Sequence, residues 1–138
     1  MSFREKSAWA MALIMALNGL LFLGLARLIP ADAPGQVQLV AFVPFVAAVI
    51  IGSIVVQVVL AIYSPRDAQR PADERERAAI AVSGNWSGIV LGVGVVCGIL
   101  DYLWWGQGNR LFFFAIGSLI VAQVAEYVFQ IILFRRGV

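Results

Sequence analysis

Four long apolar runs alternate with short polar stretches along this chain, over residues 7–29, 39–62, 78–100 and 111–134. At a rise of ~1.5 Å per residue, each run is long enough to cross a ~30 Å hydrocarbon layer as a helix. The pattern predicts an all-α fold: an integral membrane four-helix bundle, one membrane domain over 1–138, with a polar loop at 63–77.

The stretches between the runs carry the stop signals. Residues 30–36 hold Pro30, Pro34 and Gly35, which punctuate a tight turn. Pro44 falls in the first turns of the second run, where a missing N–H is best tolerated. Pro65 and Pro71 argue against one continuous helix through the central loop. Asp73 and Glu76 have capping-box spacing, so a helix is predicted to open there; Ser2 and Glu5 repeat that spacing at the start of the chain. Residues 101–110 form the other predicted turn, where Tyr102, Trp104 and Trp105 suit the interfacial aromatic belt. The first run also has the look of a secretion signal, with Arg4 and Lys6 before it and Ala31-Asp32-Ala33 after it. Its apolar part exceeds the usual ~7–15 residues, and Pro34 would follow the cut too closely, so a retained span is expected.

Composition agrees with lipid as the solvent. The chain is 62% hydrophobic and 13% charged, where a soluble domain is about half apolar and about a quarter charged. It has no histidine and one cysteine, Cys97. Histidine-ligated haem or metal, a Ser-His-Asp triad and a dithiol centre all lack their groups. No catalytic set, metal site or cofactor is expected. A net charge of +2, mixed in sign, does not suggest direct nucleic-acid binding.

Charge does orient the spans. Arg4, Lys6, Arg66, Arg70, Arg75, Arg77, Arg135 and Arg136 lie on one side, against Arg27 and Arg110 on the other. Basic residues collect on the cytoplasmic side. Both termini and the central loop are therefore expected in the cytoplasm of a cell with this chain in its inner membrane.

A weak repeat suggests two duplicated helical hairpins. Arg4-Glu5-Lys6-Ser7-Ala8 resembles Arg75-Glu76-Arg77-Ala78-Ala79, and Ile51-Gly52-Ser53 recurs as Ile116-Gly117-Ser118.

The candidate chemistry lies within the spans. Glu126 is the one ionisable group deep inside an apolar run, with Gln123 and Gln130 on the same helix face. Asn18, Gln57 and Asn85 fall at compatible depths, near Trp86, Ser83 and Ser87. Together they predict a polar cluster in the cytoplasmic half of the core. No Lys or Arg reaches that depth, so Glu126 is expected neutral or hydrogen-bonded rather than salt-bridged. The cluster reads either as a proton or cation site or as interhelical glue at ~0.6 kcal/mol per contact. Gly84, Gly88 and Gly92 recur at every fourth residue, and Gly94 and Gly98 repeat the spacing on another face. Such spacing lets helix backbones approach closely. Packing within the bundle is the stronger expectation for the first set, and a homodimer face the alternative. In the loop, Asp73, Glu74, Arg75, Glu76 and Arg77 read as a solvated connector or as a docking surface.

At Phe3-Arg4-Glu5-Lys6-Ser7-Ala8-Trp9 and Asp73-Glu74-Arg75-Glu76-Arg77 the chain resembles a group of small bacterial inner-membrane proteins of unknown function. These have about four spans and an Asp-Glu-Arg motif opening the third, and are often found beside small helix-turn-helix regulators. The resemblance implies a regulatory or partner-binding role and carries over no catalytic residue. The expected function is non-enzymatic. Besides the lipid bilayer, its partners would be a second copy, a cytoplasmic regulator or another membrane subunit. The alternative is a small oligomeric translocator of protons, ions or a solute, built around Glu126.

Overall fold

The computed structural model describes residues 3–30, 32–65 and 70–136. Among the described residues, four long helices make the fold: α1 (Phe3–Ala26), α2 (Leu39–Tyr63), α3 (Glu74–Trp105) and α4 (Gly108–Arg136). A short 3-10 helix, Gly35–Gln38, leads into α2. All four helices are long and apolar enough to cross a membrane. The chain is an all-α bundle of the multi-pass membrane type.

Local sequence sets the helix ends. The Asp73 carboxylate accepts the Glu76 N–H at 2.7 Å, as its spacing predicts. That satisfies one of the donors a helix start leaves unpaired. At the other end of α3, Gly106 adopts φ 67° and its N–H donates to the Tyr102 carbonyl at 2.7 Å. Glycine takes this left-handed position without a Cβ clash. Two boundaries differ from those predicted. α1 stops at Ala26, and Arg27 to Ile29 continue as a turn. α3 runs past residue 100 through Asp101 and the aromatic residues to Trp105. Neither Gly nor Pro interrupts it between Gly98 and Gly106, so the expected turn over 101–110 shrinks to Gly106 and Gln107. Arg66 and Asp67 of the central loop, Ala31 of the first turn and the proposed Ser2 cap lie outside the described residues.

By their extended contacts the helices follow one another in the order α2–α1–α4–α3. Among the described residues, the extended helix contacts are α3–α4, α1–α4 and α1–α2. Each is antiparallel: Gln57 meets Ser7, Arg135 meets Glu5, and Arg110 meets Asp101. The apolar core sits where α1, α2 and α4 converge, on buried Phe22, Ala41, Ile116 and Ile120. Phenylalanine rings close around it, with centroids 5.1 Å apart for Phe22–Phe45 and 5.7 Å for Phe42–Phe112. Tilted and edge-on pairs of this kind suit the ring quadrupoles. A Cβ on Gly19 would come within 2.5 Å of Ile120, so this glycine brings α1 onto α4.

The two hairpins that the sequence repeat would relate are packed unequally. A two-fold axis exchanging α1–α2 with α3–α4 would pair α2 with α3 as it pairs α1 with α4. The α2–α3 pair makes no such extended contact among the described residues. The matched glycines differ too: a Cβ on Gly52 would meet Ile14, while one on Gly117 would meet nothing within 4 Å.

Candidate functional site

Glu126 lies on α4 between two glutamines of its own helix. Gln123 Nε2 donates to Oε2 and Gln130 Nε2 donates to Oε1, each at 3.2 Å. The spacings are i−3 and i+4, which place side chains over one another on a helix surface. Both carboxylate oxygens thus act as acceptors, as predicted for a hydrogen-bonded glutamate. No ion pair to Glu126 occurs among the described residues. Leaving a carboxylate at such a depth without a counter-charge costs on the order of 2.5–3.5 kcal/mol. Gln130 is buried, and Gln123 and Glu126 are half-buried.

The wider cluster predicted from sequence does not assemble. Asn18 donates to the Ile14 carbonyl of its own helix at 2.9 Å. Gln57 donates to Ser7 Oγ at 2.9 Å, at an exposed position on the α1–α2 seam. Asn85 is exposed and makes no hydrogen bond among the described residues. The reason is rotational. At ~100° per residue, Asn85 sits about 200° from Ser83, on the opposite side of α3. Ser83 and Ser87 face inward and return their hydroxyls to the Ile80 and Gly84 carbonyls. Trp86 is half-exposed and lies against Phe129, with ring centroids 6.3 Å apart.

The same rotation corrects the glycine assignment. Gly84, Gly88 and Gly92 do not pack within the bundle: a Cβ on any of them would meet nothing within 4 Å. The α3–α4 seam uses Ala79, Ser83, Ser87 and Gly98, which are buried, together with Gly94. A Cβ on Gly94 would collide with the Ser118 side chain, and one on Gly98 would stand 2.8 Å from Phe114 Cβ. Asn85 and the first glycine set therefore share an uncovered side of α3. α2 is uncovered as well, with Ala41 its one buried residue.

One end of the bundle is clasped by ion pairs, Arg4–Glu76 at 3.1 Å and Arg135–Glu5 at 3.2 Å, with Arg135 also 5.5 Å from the Trp9 ring centroid. Glu76 is thus a cap-region residue tied to α1, not a free loop acid. Asp73 is spent on its cap, while Glu74, Arg75 and Arg77 are exposed. At the other end, Arg110 bonds Asp101 at 2.7 Å and lies 5.6 Å from the Trp105 ring centroid. Asn109 Nδ2 reaches the Ala33 carbonyl at 2.7 Å and ties the two turns together. Gln38 is 3% exposed, and neither side-chain amide atom has a partner among the described residues. Nothing in the sequence marks it, because a polar residue at the mouth of a span normally faces water. Among the described residues, no three Cys, Asp or Glu side chains gather closely enough to hold a metal ion.

No family model matches this chain, and no curated protein or solved structure matches it either.

Proposed function

We propose that this chain is a non-enzymatic protein of the bacterial inner membrane that acts by binding partners, first of all a second copy of itself. The termini and the 63–77 loop are placed in the cytoplasm on the distribution of arginine and lysine, which crowd one side. The observation that carries the reading is the uncovered side of α3. In a lone chain the Asn85 amide faces hydrocarbon without a hydrogen-bond partner, beside three glycines with open space above them. An unpaired amide in an apolar medium costs on the order of 1–3 kcal/mol. A second α3 can approach closely over the glycines and supply a matching amide, since Asn both donates and accepts. A cytoplasmic regulator or another membrane subunit is the further partner, held by the exposed loop charges Glu74, Arg75 and Arg77. Co-purification of a soluble partner, lost when residues 66–77 are replaced by Gly/Ser, tests that arm.

A second reading is favoured by Glu126. A carboxylate held by two amides and no cation suits a small translocating protein for protons, ions or a solute. Flux into proteoliposomes that disappears in Glu126→Gln would support it; flux equal to that of empty vesicles would remove it.

A further inference from the structure

An apolar groove of ≈ 250 Å³ runs between α2 and the α1–α4 pair. Met15, Phe42, Phe45, Ile50 and Leu119 line it, and Gln123 is its polar lining residue. Gln123 is also the residue whose amide donates to Glu126 at 3.2 Å. Leu119 and Glu126 are seven residues apart on α4, within about 20° of two full turns, so they share a side of the helix. Glu126 does not line the groove itself; it lies about one turn beyond Gln123 toward the α4 C-terminus, with no cationic partner among the described residues. Among the described residues, α2 and α3 make no extended contact.

We propose that this groove and Glu126 together bind a monovalent organic cation with one slender apolar tail, the charge beside Glu126 and the tail between α2 and α4. Charge complementarity selects the occupant. A neutral acyl chain would fill the groove and leave the carboxylate uncompensated; a hydrated metal ion would meet the carboxylate and two amides but gain nothing from the apolar walls. Size narrows it further. The volume falls below the ~300–1,000 Å³ of pockets for drug-sized ligands, which favours a single chain over a bulky ring system. The site rests on the second reading above only in sharing Glu126, because binding does not require transport.

The test uses the full chain in zwitterionic nanodiscs, with empty discs as the partition control. Decyltrimethylammonium, whose charge does not titrate, is compared with decanol. The ammonium is expected to bind saturably, one per chain, at least about tenfold tighter than decanol. Glu126→Gln should bring it to the level of decanol, while Val46→Phe, which fills the groove from α2, should weaken both probes. Equal binding of the two probes would make the groove a plain lipid-chain site and overturn the proposal. So would ammonium binding that Glu126→Gln leaves unchanged. If that variant does not fold, the comparison of probes on the wild-type chain still decides. Ammonium binding without any flux would support this site while removing translocation. Glu126-dependent flux without ammonium binding would keep translocation and overturn this ligand class.

Discussion

Gly94 of α3 lies against Ser118 of α4 so closely that a Cβ on the glycine would overlap the serine side chain. The Ser118 hydroxyl is meanwhile turned back to the Phe114 carbonyl at 2.6 Å. It is therefore spent on its own helix, and the seam is held by close backbone approach. Gly94→Ile should wedge the two helices apart and lower stability by at least ~1–3 kcal/mol, the range for overpacking. Thermal unfolding in detergent measures this. The same substitution at Gly88, which meets only open space, should leave the folded chain within ~0.5 kcal/mol of wild type.

The Asp73 cap offers a local check. Asp73→Ala removes the acceptor for the Glu76 N–H and should cost about 1 kcal/mol, while Asp73→Asn or Ser should retain most of it. Hydrogen exchange should speed up over the first turn of α3 in the alanine variant and not at its centre.

Glu126 can be tested as a hydrogen-bond hub without reference to function. Glu126→Leu strands the Gln123 and Gln130 amides, which now donate to it. Leaving buried polar groups unpaired costs on the order of 1–3 kcal/mol. Glu126→Gln keeps an acceptor oxygen and should lose clearly less. A leucine variant as stable as the glutamine variant would show that the glutamines find other partners.

The clasp between Arg135 and Glu5 should contribute little despite its length of chain spanned. The arginine side chain is 60% exposed and the glutamate 11%. Exposed pairs are screened and worth ~0.2–1 kcal/mol. A double-mutant cycle on Arg135→Ala and Glu5→Ala should return a coupling in that range, falling as salt is raised.

The spans, the Asp73 cap and the Gln123–Glu126–Gln130 row were legible in the sequence because each depends on local spacing or on transfer from water to lipid. Neighbour relations were not. In a soluble helix an apolar stripe tells the inward face; here lipid is as apolar as the core, so α2 shows one buried residue in a helix that is hydrophobic all round. The polar groups misled for the same reason. Ser83 and Asn85 differ by two positions and face opposite sides of α3, yet depth alone placed them together. The two glycine series look alike in sequence, and only contact with α4 separates Gly94 and Gly98 from Gly84, Gly88 and Gly92. The length of α3 was missed because its aromatic end reads equally well as an interfacial turn, and Gly106 proves to be the stop.

Self-association through the uncovered side of α3 is tested most directly by the stoichiometry of the chain in native membrane, counted in nanodiscs formed without detergent. Wild type should be captured as two copies per disc, and Gly88→Ile as one, with the two chains indistinguishable in helix content. A wild-type chain captured singly, or a Gly88→Ile chain that remains paired, would contradict binding through this face.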